Sequence, residues 1–124
     1  MFLLDSNVVI NILRKNKQVL SYVKRIQKSP CLLSVITRLE VLLGAVTDKQ
    51  SLSDISEVIE RYATLPVDTR IADTAFQMKY EDNVSLKFKD LLIAATAKEH
   101  DLTVVTSDKD FKKLKGVQVH LLKL

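Results

Sequence analysis

The sequence has one cysteine, no tryptophan and no long apolar run. The single cysteine, Cys31, cannot support a disulfide framework, so we expect a reduced, intracellular setting and a packing role for this residue. No apolar stretch approaches the roughly 18 residues of a membrane span, and no basic leader precedes the first apolar residues. These absences predict a soluble, cytoplasmic protein.

Positive charge is in modest excess, with 19 Lys and Arg residues against 15 Asp and Glu residues and a net charge of +4. This balance favours an anionic partner such as nucleic acid or an acidic protein. Aromatic residues are not interleaved with the basic ones, and no RNA-recognition motif is present. The sequence therefore does not indicate base recognition by stacking.

Hydrophobic residues make up 47% of the chain, which suffices for one core, so we expect a single domain over residues 1–124. Short apolar runs alternate with longer helical patterns, without repeats or low-complexity segments. Strands that alternate with helices predict a parallel sheet joined by right-handed crossovers. The predicted fold is a three-layer α/β/α sandwich with a central parallel sheet.

The predicted strands are "FLLD", "CLLS", "LPVD", "LTVVT" and the edge strand "VQVHLL". The predicted helices are "SNVVINILRKN", "KQVLSYVKRIQKS", "VITRLEVLLGAV", "SLSDISEVIERYA", "TRIADTAFQMKYEDN" and "FKDLLIAATAKEHD", with a short helical turn in "SDKDFKKLKG". In the third helix, one face carries Val35, Leu39, Leu42, Leu43 and Val46. The sixth helix is apolar nearly all round, which predicts that it is buried.

Four acidic residues occupy positions that a parallel sheet would bring to one edge. Asp5 ends the first strand, Asp108 follows "LTVVT", and Glu40 lies in the helix that leaves the second strand. Asp90 lies in the first turn of a helix that runs back before a strand, so it begins at the same edge. Ligands of open parallel sheets bind outside the carboxyl ends of the strands. We therefore expect the four acids to line one cleft.

Each acid also has an ordinary structural explanation. Asp5 is suited to cap a helix, and Asp90 complements a helix dipole. Asp108 and Asp110 suit a turn, and Glu40 is a good helix former for a solvated edge. Independent caps have no reason to fall at the same edge near the centre of the sheet, which favours a shared site.

Clustered carboxylates repel one another and stay ionised only beside a positive charge, for which a divalent metal is suited. Oxygen ligands without His or Cys select magnesium or manganese over zinc. Such ions activate a water and neutralise charge at phosphate groups. Hydrolysis of a nucleic-acid backbone is the leading hypothesis. His100 and His120 lack metal-ligand spacing, and we expect both to be structural.

The sequence resembles PIN-domain proteins of the VapC toxin type along essentially its whole length. The motifs, in chain order, are "LLDSNVVI" with Asp5 and Asn7, "LSVITRLEVLLGA" with Ser34, Thr37, Glu40 and Gly44, "KDLLIAATA" with Asp90, and "VVTSDKDF" with Thr106, Asp108 and Phe111. Any one motif is weak, but four in sequence with appropriate spacing are specific.

The resemblance implies a single PIN domain that is the ribonuclease of a toxin–antitoxin pair. It implies a magnesium or manganese site whose ligands and catalytic residues are Asp5, Glu40, Asp90 and Asp108. The family varies in which acid after the threonine is used; Asp108 is preferred here as the fourth acid, with Asp110 as a partner through water. The resemblance further implies a homodimer and a cognate VapB-like antitoxin whose C-terminal segment fills the groove and blocks the metal site.

Neighbouring polar residues are expected to orient the ligands or waters, namely Asn7, Ser34, Thr37, Thr106 and Asp110. Ordinary turn and cap hydrogen bonding explains them about as well. A positive path for RNA is predicted at Arg14, Lys15, Lys87, Lys89, Lys109 and Lys112, with Lys17, Lys113 and Lys115 nearby. The alternative is a solvated lysine surface.

Three other functions are compatible with parts of the pattern. A dehalogenase-type, metal-dependent phosphatase also has a strand-end Asp, but it needs a second acid where Asn7 stands. A receiver domain needs two acids together at the first strand end, and this pair is missing. A PIN-fold RNA-binding or interaction module without a toxin role would not need the intact set of acids.

Overall fold

The computed structural model describes residues 1–47 and 51–124, which form a parallel sheet with helices on both faces. The strands are β1 Phe2–Leu4, β2 Cys31–Ser34, β3 Ala63–Leu65, β4 Thr103–Thr106 and β5 Val119–Leu121. The helices are α1 Ser6–Leu13, α2 Lys17–Ile26, α3 Val35–Thr47, α4 Leu52–Ile59, α5 Thr69–Tyr80 and α6 Phe88–His100, with a 3₁₀ helix at Lys109–Lys113. The predicted three-layer sandwich is confirmed. Among these described helices, none has the length and apolar content that crossing a bilayer requires.

The central strand β1 is buried on both faces of the sheet. Leu3 and Leu4 are fully buried, and successive side chains of a strand point to opposite faces. Leu3 belongs to a core cluster that includes α5 and α6, whereas Leu4 belongs to a cluster that includes α1, α2 and α4. Burial on both sides explains why this strand is a continuous apolar run.

The strand order places a topological switch point at β1. The order across the sheet is β3-β2-β1-β4-β5, so the chain builds outward from β1 in one direction and then returns to its other side. All four strand pairs are parallel. A crevice therefore forms at the carboxyl ends of β1, β2 and β4, where ligands of such sheets bind.

The third strand was predicted in the wrong place. The prediction placed it at "LPVD", which shares Leu65 with β3, whereas the rest of β3 precedes it: β3 is Ala63–Leu65 and pairs with Leu32–Ser34 of β2. Pro66 has no backbone N–H to donate to a sheet, so the strand ends before it. The other four predicted strands overlap the observed ones, and β5 lies at the sheet edge as expected.

The apolar stripe of α3 faces outward. Leu39 and Leu43 are 55% and 54% exposed, and Val46 is 79% exposed, whereas Val41 is buried. By contrast, α6 is buried from Leu92 through Ala97, as its all-round apolar sequence predicted. Leu42 of the predicted stripe is partly buried and packs against the core, whereas Leu39, Leu43 and Val46 form an apolar surface that is more than half exposed.

Candidate active site

Asp5 is the most deeply buried of the four predicted acids, with 4% of its surface exposed. It caps α1, and its Oδ1 accepts a hydrogen bond of 2.8 Å from the Ser6 amide. Its Oδ2 accepts hydrogen bonds from the Thr106 hydroxyl at 2.7 Å and from the Asn7 side-chain amide at 3.1 Å. The two oxygens therefore have separate partners.

Asn7 and Thr106 join the carboxyl ends of β1 and β4. Asn7 Nδ2 also donates to Thr106 Oγ1 at 3.2 Å, and Asn7 Oδ1 accepts from the Ser107 amide at 3.0 Å. Thr106 Oγ1 accepts from the Asp108 amide at 3.0 Å. These contacts fix the turn that carries Asp108, so both residues position acids of the predicted site.

The acids share one electrostatic environment. Burial, together with the negative charges of Asp5, Asp108, Glu40 and Asp110, raises the pKa of Asp90 to about 6. Burial also raises the pKa of Asp5, and the charges of Glu40 and Asp108 add to this rise, although hydrogen bonds from Thr106 and Ser6 oppose it. Each of the four predicted acids thus lies within electrostatic range of another, as the strand-edge prediction requires.

Glu40 is held by a lysine. Lys89 Nζ lies 3.1 Å from Glu40 Oε2, which links α6 to α3 across the crevice. Within residues 1–47 and 51–124, no three His, Cys, Asp or Glu side chains come close enough together to hold a metal ion. The carboxylates therefore repel one another at a distance, but they do not form a tight cluster.

Ser34 and Thr37 are fully buried near the end of β2. Ser34 Oγ accepts a hydrogen bond of 3.1 Å from the Ile36 amide, which is a local cap at the start of α3. The Thr37 hydroxyl has no hydrogen-bond partner within the described chain. A buried hydroxyl without a partner is costly, and Thr37 lies one turn before Glu40 on α3.

Asp108 and Asp110 differ in their surroundings. Asp108 is partly buried and its Oδ1 accepts from the Asp110 amide at 2.9 Å, which caps the 3₁₀ helix. Asp110 is exposed, and it affects the pKa of Asp90 least among the four neighbouring acids. Asp108 is thus the more buried of the two acids, and its charge has the larger effect on the pKa of Asp90.

The predicted positive residues divide into two sets. Lys87 and Lys89 stand at the start of α6 beside Asp90, and Lys109 and Lys112 stand on the 3₁₀ helix after Asp108. Arg14 and Lys15 follow the last residue of α1, a helix of eight residues that leads away from Asp5. Eight residues span about 12 Å, so the structure does not bring these two side chains to the acids.

Two contacts of the site were not predicted from the sequence. The Ser107 amide donates to Asn7, and Lys89 binds Glu40 rather than standing free for RNA. The first had a signal, because Ser107 directly follows Thr106 in the fourth motif. The second joins residues 49 positions apart and had no signal in the sequence. The histidines are not part of this arrangement: His100 is the last residue of α6, and His120 Nδ1 lies 2.6 Å from the Tyr22 hydroxyl.

The family model of the PIN domain matches residues 2–117. The chain belongs to the PIN domain family. This match covers all four motifs and the sheet edge at which their acidic residues lie. Comparison with curated proteins found no match.

Solved structures related to this PIN domain protein include several toxin–antitoxin complexes. A toxin–antitoxin complex from Klebsiella pneumoniae is 25% identical with a TM-score of 0.78, and the match covers 94% of this chain and 95% of that one. DNA-bound VapBC from Salmonella typhimurium is 25% identical with a TM-score of 0.78, at 96% coverage of both chains. FitAcB from Neisseria gonorrhoeae is 29% identical with a TM-score of 0.69, also at 96% of both. The predicted resemblance to VapC-type PIN proteins is confirmed.

Proposed function

We propose that this PIN domain protein is a magnesium- or manganese-dependent endoribonuclease and the toxin of a toxin–antitoxin pair, acting in the cytoplasm. The observation that carries the proposal is the acidic crevice at the switch point, where Asp5, Glu40, Asp90 and Asp108 come from four separate segments. The family match and the toxin–antitoxin complexes among the solved relatives support the same class.

The donor set fits a hard divalent ion. All four side chains offer carboxylate oxygens, which magnesium and manganese prefer. Burial and the like charges of its neighbours raise the pKa of Asp90 to about 6, and a bound cation would offset those charges. The unpartnered Thr37 hydroxyl lies one turn from Glu40. Asp5, Glu40, Asp90 and Asp108 would hold the ion, directly or through water, once Glu40 leaves Lys89.

The chain's own groups would bind the substrate and hold the acids. When bound, the metal supplies an activated water and neutralises charge at the phosphodiester. Thr106 and Asn7 keep Asp5 oriented through hydrogen bonds to one of its oxygens. Lys109 and Lys112, on the 3₁₀ helix, offer positive charge to neighbouring phosphates of the RNA.

The test is cleavage of single-stranded RNA by the purified protein with Mg²⁺ or Mn²⁺, with excess chelator, and with a DNA strand of the same sequence. We expect metal-dependent RNA cleavage that Asp90→Asn abolishes. Asp73→Asn, which changes an exposed aspartate on α5, is the matched control and should retain cleavage. Undiminished cleavage in chelator contradicts the metal mechanism, and cleavage of DNA alone contradicts the substrate class.

An antitoxin partner is proposed because the solved relatives include toxin–antitoxin complexes. Its C-terminal segment would fill the acidic crevice and block the metal site, as the family resemblance implies. Expression should slow bacterial growth unless a small acidic protein encoded nearby is co-expressed; equal growth with wild type and Asp90→Asn contradicts the toxin role.

A homodimer is proposed through the exposed apolar stripe of α3. Leu39, Leu43 and Val46 lie at helical spacing on one face, and more than half of each is exposed. A second copy can cover this face with the same residues, as a two-fold interface requires. The dimer would remove from water an apolar surface that a monomer leaves open.

The other functions have less support. A dehalogenase-type phosphatase would need an acid at Asn7, whose amide group instead donates to Asp5 and Thr106. A non-catalytic PIN module would not need Asp90 in an environment that raises its pKa to about 6. The nuclease accounts for both observations.

A further inference from the structure

The contact between Lys89 and Glu40 is an ion pair inside the acidic crevice. The ammonium nitrogen lies 3.1 Å from Glu40 Oε2. This pair includes a predicted metal ligand, whereas the pairs of Arg38 with Glu60, Arg61 with Glu57 and Arg70 with Glu99 do not. A cation of the chain itself thus occupies one oxygen that a metal would use.

Lys89 is placed to act on more than one acid. It directly precedes Asp90 in the first turn of α6, and it reaches across to α3 to bind Glu40. Glu40 in turn is close enough to Asp5 and Asp90 for its charge to act on both. The ammonium therefore lies among carboxylates that repel one another, and its positive charge partly compensates that repulsion.

The pair is exposed enough to be exchanged. The side chains of Lys89 and Glu40 are 61% and 29% exposed, so water screens their attraction. Exposed ion pairs contribute little and open readily. A divalent ion surrounded by several carboxylates interacts with Glu40 more strongly than one solvated ammonium does.

We propose that Lys89 is a positioning residue that serves as the internal counter-ion of Glu40, and that a divalent metal must displace it to bind. The proposal rests on the metal-dependent function proposed above. In the metal-free protein, Lys89 holds Glu40 on the α6 side of the crevice. On metal binding, Glu40 exchanges its partner and the ammonium is released beside the site.

Calorimetric titration of the full chain with Mn²⁺ tests this exchange without RNA. Lys89→Met should lower the Kd for Mn²⁺ about three- to fivefold, the range that corresponds to an exposed ion pair. Lys89→Arg keeps the charge and the reach to Glu40, so its Kd should stay near that of wild type. Melting curves in chelator will check that the variants fold.

Lys87→Met is the matched control for charge alone. Lys87 is exposed and stands two residues before Lys89, and within the described part of the chain its side chain forms no ion pair. Its loss should lower the Kd for Mn²⁺ less than the loss of Lys89. In a Glu40→Gln background, the effect of Lys89→Met should shrink to that of Lys87→Met, because the specific partner is gone.

Three results would overturn the inference. Equal effects of Lys89→Met and Lys87→Met would reduce Lys89 to a general charge, and weaker Mn²⁺ binding by Lys89→Met would mean that the pair prepares Glu40 for the metal. Either result leaves the proposed function in place if Asp5→Asn impairs Mn²⁺ binding. Wild-type protein without any Asp5-dependent Mn²⁺ binding would refute the metal-dependent function and this inference together.

Discussion

At the scale of single residues, Asp5 both caps helix α1 and contributes to the candidate active site at the sheet edge. Its Oδ1 accepts from the Ser6 amide and caps α1, while Oδ2 accepts from Thr106 and Asn7 at the sheet edge. The cap uses Oδ1 alone, so capping α1 does not exclude the proposed metal-ligand role of the same side chain. Two effects on the pKa of Asp5 oppose each other: burial raises this pKa, and the hydrogen bonds from Thr106 and Ser6 lower it.

Asp5→Asn separates these effects. The amide keeps one acceptor oxygen and loses the other, which costs about 1 kcal/mol per hydrogen bond, while removal of a buried charge offsets that cost. We expect the metal-free free energy of unfolding to change by less than about 1 kcal/mol. Mg²⁺ raises the Tm by binding to the native state, so this rise should disappear when the variant no longer binds the ion. RNA cleavage should be lost as well. A variant with the wild-type Mg²⁺ response would make Asp5 a cap alone.

The raised pKa of Asp90 predicts that the stability of the metal-free protein depends on pH. Its pKa of about 6 in the folded protein exceeds the ordinary value of 3.8, so the folded state binds its proton more tightly than the unfolded state. This contribution to stability is present below the ordinary pKa and is lost as the pH rises through the folded pKa.

Asp90→Asn should therefore make the metal-free protein more stable than wild type at pH 7. We expect a gain of about 1 kcal/mol, well below the full linkage value because Asp90 is partly exposed. The gain should shrink toward zero near pH 4. Denaturant unfolding in chelator from pH 4 to 7 measures it, and a difference that is constant over this range would contradict the raised pKa.

At the scale of elements, periodicity predicted well which segments are helices and strands. It predicted less well which other parts of the molecule cover their apolar faces. The strand "CLLS" is β2 without change, because an apolar run between Pro30 and a helix has few alternatives. The third strand was predicted too far along the chain, because apolar residues lie on both sides of Pro66 whereas the strand ends before it. Of the predicted α3 stripe, Leu39, Leu43 and Val46 are exposed while Leu42 packs against the core, because helical periodicity alone does not state what covers an apolar face.

Leu43→Lys tests the proposed dimer at this stripe. Leu43 is 54% exposed, so the substitution removes no core contact and should leave the helical spectrum unchanged. A lysine on each copy would place like charges in the interface, and we expect the mass in solution to fall from dimer to monomer. Sedimentation measures this change. Leu124→Lys, at a leucine of similar exposure outside α3, is the control. A wild-type mass for both variants would place the dimer contact elsewhere.

At the scale of the whole molecule, the site exists only through the topology. Asp5 and Thr106 are 101 positions apart, yet they share a hydrogen bond because β1 and β4 are neighbours. The rule that parallel strands expose their carboxyl ends at one edge was enough to predict this meeting. The partner of Lys89 could not be predicted, because side-chain direction at a helix start depends on packing between α3 and α6. Arg14 and Lys15 were expected on the path of the RNA to the acids, but the eight residues of α1 separate them from Asp5.

The charge distribution of the whole molecule predicts how RNA binding responds to salt. Lys109 and Lys112 follow the carboxyl end of β4, on the side of the acids, whereas Lys98 lies in the last turn of α6. Each phosphate contact to a single strand contributes about 0.7 to the slope of log K against log salt. Replacing both lysines of the 3₁₀ helix with glutamine should weaken binding and lower the slope by about 1.4.

The measurement is RNA binding at several salt concentrations, made in the Asp90→Asn background so that the strand stays intact. Lys98→Gln is the control, since α6 runs away from the acids and its last turn is at the other edge of the sheet. It should leave the slope unchanged although it removes one positive charge, as each lysine substitution on the 3₁₀ helix does. A fall in slope that is equal for Lys98→Gln and for one lysine of the 3₁₀ helix would mean that RNA responds to the net charge of +4 and not to a path beside the acids.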